Sequence, residues 1–226
     1  MIEISNLDFQ YDDADFRLRI PQLSVAVGEK VAIVGPSGSG KTTLLMLIAG
    51  VQVAERGAIR VGDRSVAKMD DAERRSFRIS NIGFVFQEFE LLDYLTVREN
   101  ILLPFLINDD LKIDANVQAA ADQLAESMGI AGKLSRHPKR LSQGERQRAA
   151  ICRALITRPR VLLADEPTGS LDPVATDQIV QLLLVRASEI HATVLLVTHD
   201  HRLLGQFDRT IDLVECQAAG APAEAS

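Results

Sequence analysis

The residues with the clearest chemical purpose are Gly35, Pro36, Ser37, Gly38, Ser39, Gly40, Lys41, Thr42 and Thr43, which follow the order G-x-x-x-x-G-K-[ST]. Glycines let a backbone curl until its N–H groups point inward at an anion, with no side chain in the way. The lysine adds a full charge on a flexible stem, and the Thr42 hydroxyl can ligate a hard cation such as Mg²⁺. Such a loop cradles a phosphate chain when a buried strand leads into it and a helix leads out, because a helix N-terminus offers free N–H groups and a positive dipole end. Both flanks are present. Lys30 to Val34 reads as a buried strand, and Thr42 to Ala49 as an apolar helix.

A second apolar strand, Val161 to Ala164, runs into two carboxylates, Asp165 and Glu166. Carboxylates at the end of a buried strand are costly unless positive charge meets them. Asp165 can hold a metal shell while Glu166 polarises an attacking water. If the strand stays extended, the two point to opposite sides. His199 follows a third apolar strand, Thr193 to Val197, at the strand end where parallel α/β sheets gather ligands, although a lone histidine is more often structural. Ser142 and Glu145 have the spacing of a capping box, which explains them structurally; the same helix start, with Gly144 permitting close approach, also makes an anion site. Tyr11 either covers a sheet edge or offers a flat ring to a base.

The elements that must position these groups are legible as patterns. Residues 1 to 34 alternate apolar and polar positions as half-buried strands do, with a turn-like cluster at Tyr11 to Asp15, and a hairpin is expected between Gly57 and Ala67. Asn81 to Gln87 holds a tight apolar strand that ends on Gln87. From there the pattern becomes helical to about residue 157. Thr96 and Glu99 open a helix that is expected to run toward a break at Pro104, and Asp114 caps another that Gly129 stops. Asp172 and Pro173 begin a helix reaching about Ile190, and a last strand is expected at Thr210 to Val214. The fold class this predicts is α/β, a core of mainly parallel sheet with an antiparallel β subdomain and an α-helical subdomain inserted at about 88–157. The tail, 217–226, is expected to be disordered.

Composition narrows the function classes. A chain of 226 residues with 46% hydrophobic content can fill one large α/β core, and the net charge of -6 disfavours a general nucleic-acid binder. The basic residues around Arg136 to Arg160 lack interleaved aromatics, so they read as a solvated or subunit-facing surface. No apolar run approaches the ~20 residues of a membrane span, and the N-terminus lacks a secretory pattern, so a cytoplasmic location is expected. Cys152 and Cys216 read as unpaired thiols. The surplus of apolar residues between Phe89 and Leu106 exceeds what one short helix buries, and either packs the helical subdomain or forms a docking surface.

Taken in order, these segments resemble the nucleotide-binding domain of ATP-binding-cassette transporters, up to about residue 214. Gly35 to Thr43 matches the Walker A loop, Val161 to Asp165 Walker B, Leu141 to Glu145 the signature motif and Ser170 to Asp172 the D-loop. Gln143 and Glu145 depart from the usual Leu-Ser-Gly-Gly-Gln, and Glu145 is expected to fold back onto its own helix. Within the family, Asp165-Glu166-Pro167-Thr168-Gly169-Ser170-Leu171-Asp172 looks most like the bacterial lipoprotein-releasing, macrolide-export and cell-division group. The resemblance implies ATP and Mg²⁺ as ligands, Tyr11 stacking on adenine, and Thr42, Gln87 and Asp165 around the metal. It implies Glu166, His199 and Gln87 as the catalytic set, with Ser142 and Gly144 arriving from a second copy, most simply in a homodimer. It further implies a separate integral membrane permease, peripheral attachment to the cytoplasmic face of the inner membrane, and no nucleic acid. The alternative it leaves open is a mechanical or regulatory ATPase that signals to a membrane partner without moving cargo.

Overall fold

A computed structural model describes residues 1–11, 16–169 and 171–218. The turn-like cluster after Tyr11, Ser170 of the D-loop match, and the tail from residue 219 lie outside the described residues. In chain order the elements are β1 (Ile2–Gln10), β2 (Arg17–Val25), β3 (Lys30–Val34), α1 (Lys41–Ile48), β4 (Arg56–Val61), β5 (Arg64–Ser65), α2 (Asp71–Asn81) and β6 (Ile82–Val85). There follow α3 (Val97–Leu106), α4 (Ala115–Ser127), α5 (Gln143–Leu155), β7 (Val161–Asp165), α6 (Pro173–Glu189), β8 (Thr193–Val197), β9 (Arg209–Asp212) and α7 (Leu213–Ala218).

The strands form two sheets. One is antiparallel in the order β2-β1-β4-β5, and the other runs β6-β7-β8-β3-β9 with every pairing parallel. The difference follows from the sequences. β1 and β2 alternate buried and exposed residues because one face meets solvent, whereas β7 and β8 are buried at every position because both faces are covered. α1 lies in the apolar cluster that joins the two sheets, so Leu44, Leu45, Leu47 and Ile48 are all buried around its circumference. A second cluster, on the other side of the parallel sheet, brings α3, α4, α5 and α6 together through Ile101, Ala125, Ile151 and Leu183.

Register fixes where the chemistry lands. Ala32 to Ile33 of β3 pair with Leu196 to Val197 of β8, and Asp165 of β7 pairs with Val197, so the exits of these three strands share one edge of the sheet. That edge is the C-terminal one.

Four expectations need correction. The helical character begins earlier than Gln87, at α2, whose capping box pairs Asp70 with Glu73. Pro104 does not end α3; the helix passes through it to Leu106, because Ile101, Leu102 and Phe105 pack into the core on the helical side and offset the lost N–H. The last strand stops at Asp212, whose carboxylate accepts the N–H of Val214, and the chain turns at once into α7. Gln217 and Ala218 are therefore helical, and the Gln217 side chain donates to the Ser39 carbonyl at 3.0 Å.

Candidate nucleotide and catalytic site

The loop between β3 and α1 carries the geometry that its glycines permit. Gly40 has φ 99°, and a Cβ there would stand 2.7 Å from the Phe16 ring, so neither the backbone nor the space admits another residue. Lys41 is buried, and its ammonium donates to the Gly35 and Pro36 carbonyls at 2.8 and 2.9 Å. Ser39 Oγ is buried with no hydrogen-bond partner, an orphan polar atom inside a loop shaped for an anion.

A cleft of about 470 Å³ opens beside this loop, lined by Tyr11, Phe16, Ser37, Gly38, Gly40, Lys41, Thr42, Thr43, Gln87, Asp165 and Glu166. The fold has thus drawn residues from five separated segments onto one sheet edge. The Tyr11 hydroxyl lies 3.3 Å from Thr43 Oγ1, and its ring stands edge-on to Phe9 with centroids 4.8 Å apart. Phe16 sits tilted against Tyr11 at 6.2 Å. In the sequence it is only an isolated aromatic between an acidic turn and a strand, too weak a signal to place it in a site.

Asp165 is buried, and burial pushes its carboxyl above the ordinary carboxylate value; a hydrogen bond from Thr42 and the charge of Lys41 pull the other way, while Glu166 adds to the rise. A carboxylate held in this state favours a cation beside it. The available donors are all oxygens, from the Asp165 carboxylate, the Thr42 hydroxyl and the Gln87 amide, a set suited to Mg²⁺. Among the described residues no group of three or more His, Cys, Asp or Glu could hold a metal on its own.

Glu166 does not continue the strand. Its φ of 42° puts it in the left-handed region, so the alternation expected of an extended chain does not apply, and the turn rather than the pleat sets its direction. Its N–H donates to the Val197 carbonyl at 3.1 Å, and its Oε2 lies 3.2 Å from His199 Nδ1. His199 is an exposed side chain and is not part of the cleft lining; it reaches the site through Glu166.

Ser142 and Gly144 lie elsewhere. Ser142 caps α5, accepting the Glu145 N–H at 3.3 Å, while Glu145 returns to the Ser142 N–H at 2.8 Å. Lys133 meets the other Glu145 oxygen at 2.9 Å and, with the Ser142 contacts, holds that carboxyl below its usual range. Glu145 therefore folds back as expected. A Cβ on Gly144 would find only Arg148 Nη2, at 3.6 Å, so this helix start is open. Neither Ser142 nor Gly144 lines the cleft.

A glycine loop between a buried parallel strand and a helix, faced by a carboxylate pair at the end of the strand one place removed in the same sheet, defines a P-loop nucleoside triphosphatase. A model described as ABC transporter matches residues 18–169. The chain belongs to the ABC transporter family, as an ATP-hydrolysing subunit. It is similar to the lipoprotein-releasing system ATP-binding protein LolD of Ruegeria sp. (strain TM1040), at 40% identity over 196 residues, covering 87% of this chain and 86% of the relative. Among solved structures it resembles the dimeric post-hydrolysis state of the ATP-binding cassette MJ0796 bound to ADP and Pi, with TM-score 0.85, 33% identity and 94% of each chain covered. It also resembles CbiO1 of Clostridium perfringens, part of the ABC transporter complex CbiONQ, with TM-score 0.77, 27% identity, and 88% and 78% covered.

Proposed function

We propose that this chain is the motor subunit of a membrane transporter, completing its ATP site only when two copies meet. The observation that carries this reading is the separation of Ser142 and Gly144 from the cleft that holds Lys41, Thr42, Asp165 and Glu166. The likeness to a cassette dimer supports the same arrangement. In it, the phosphates lie on the loop amides and Lys41, which turns from the Gly35 and Pro36 carbonyls to the ligand. Tyr11, beside Phe16, stacks on the base. Thr42, Asp165 and Gln87 would hold Mg²⁺, which supplies positive charge to the transferring phosphoryl oxygens when bound. Glu166 orients the attacking water and takes up its proton, and His199 fixes the Glu166 carboxylate and meets the γ-phosphate as the dimer closes. The partner's helix start at Ser142 and Gly144 adds N–H groups to the same phosphate.

The domain in this reading spans 1–216, with a helical lobe at about 88–157. That lobe presents Tyr94, Leu106 and Ile107 as exposed apolar side chains, while Leu102 is buried and Phe105 packs against the core. The apolar surplus thus divides between core and surface, and its exposed part is the place for a permease. Among the described residues no helix is long and apolar enough to cross a membrane, so the membrane path belongs to that partner. The likeness to LolD makes a lipoprotein-releasing permease the first partner to test.

Glu166→Gln separates binding from chemistry. The variant should bind ATP, lose turnover by at least about a hundredfold, and elute as a dimer when ATP and Mg²⁺ are present. Wild-type turnover, or a monomer under those conditions, would refute the role of Glu166 and the shared site.

A further inference from the structure

The segment after Gln87 is bent in a way its own residues do not favour. Phe89 and Glu90 have φ of 64° and 48°, consecutive left-handed residues with no glycine between them. Something must hold them there. Arg153, on α5 and only 9% exposed, donates through Nη2 to the Phe89 carbonyl at 2.7 Å and through Nη1 to the Glu90 carbonyl. Two turns earlier on the same face of that helix, the Arg146 guanidinium stands 5.7 Å from the centre of the Phe89 ring. Among the described residues Arg153 forms no salt bridge; burial lowers its pKa to about 10, with the charge of Glu90 pulling the other way. A buried charge spent on two backbone carbonyls is a poor stability device, since an apolar side chain would fill the space at less cost.

The neighbouring contacts show what is being tied. Upstream, Gln87 lines the nucleotide cleft. Downstream, the fully buried Asn100 accepts the Leu92 N–H at 2.7 Å and donates to the Leu92 and Thr96 carbonyls, both at 3.0 Å. Arg153 therefore joins the middle of this loop to α5, whose start is formed by the Ser142 cap, Gln143 and Gly144.

We propose that Arg153 is a positioning residue that locks the Gln87 loop to α5, so that the glutamine in one chain's cleft and the helix start offered to the other chain's nucleotide shift together. This rests on the roles proposed above for Gln87, Ser142 and Gly144. A permease pressing on the loop would then move both groups at once, and loosening the lock would slow turnover without weakening nucleotide binding.

The test uses the full chain with its permease, measuring ATPase rate against ATP concentration. Arg153→Lys keeps the charge but loses the planar fork that reaches two carbonyls. It should lower kcat roughly three- to thirtyfold while KM for ATP stays within about twofold, with faster amide hydrogen exchange both at residues 88–92 and at 142–145. Adding Glu90→Gly, which accepts a positive φ at no Cβ cost, should restore part of kcat. Glu90→Pro breaks the same turn from an exposed position and should reproduce the kcat loss in a folded chain, even if changes at Arg153 prevent folding. An unchanged kcat in Glu90→Pro, or faster exchange confined to residues 88–92, would overturn the proposal. Gln87→Ala keeps the two readings apart: if it slows turnover while the Arg153 and Glu90 variants do not, only the lock fails, and if it changes nothing, the site reading fails first.

Discussion

His199 Nδ1 lies 3.2 Å from Glu166 Oε2, and that contact joins the ends of two adjacent parallel strands. Glu166 has left the strand through a left-handed turn, so its carboxylate needs an external brace to keep one direction. His199→Ala should cut kcat by roughly ten- to a hundredfold with ATP affinity within about threefold. His199→Gln, which can still donate to the carboxylate, should retain more activity than alanine. Steady-state kinetics with a nucleotide-binding titration checks both; equal losses for alanine and glutamine would mean that the brace is unimportant.

Asp165 is raised by burial, and the sign of the consequence follows directly. A carboxyl whose folded pKa exceeds its ordinary value of 3.8 costs stability where it is ionised, and that cost fades as pH falls through the folded value. Asp165→Asn should therefore raise the Tm of the nucleotide-free chain by a few degrees at neutral pH, the scale on which ~1 kcal/mol moves a domain of this size. The gain should shrink toward pH 4. The same variant should lose Mg²⁺-dependent hydrolysis. Thermal melts across pH, with ATPase assays alongside, test the pair; a lower Tm at neutral pH would contradict the burial argument.

Glu145 belongs to its own helix cap and to Lys133, and not to the cleft. Glu145→Gln preserves the capping pattern and should leave turnover within about threefold, because glutamine also serves at that position. Glu145→Ala should destabilise the chain by about 1 kcal/mol and fray the start of α5. Denaturant unfolding measures the second effect. A large gain in hydrolysis from Glu145→Gln would show instead that the carboxylate faces the phosphates.

Much of this site was legible because its chemistry is local. The phosphate loop, the strand ending in Asp165-Glu166 and the capping boxes at Thr96 and Ser142 each need only a few consecutive residues, whereas the box at Asp70 goes unread for want of a strong apolar stripe behind it. The parts that stayed hidden depend on tertiary context. Phe16 enters the cleft only because the start of β2 brings it against Gly40, and Glu166 leaves the strand at a left-handed φ that no residue pattern around it announces. Pro104 looks like a stop by its missing N–H, yet packing carries the helix past it. Nothing in the local pattern around Arg153 announces that it reaches residues 63 and 64 positions earlier.

The proposed reaction stands or falls on one chain lacking part of its own active site. The direct measurement is the ATP hydrolysis rate per chain of the isolated protein, followed from concentrations where it is monomeric to those where it dimerises. A shared site predicts a per-chain rate that rises with concentration and levels off as dimers form. A rate per chain that stays constant down to the most dilute, monomeric sample would contradict it.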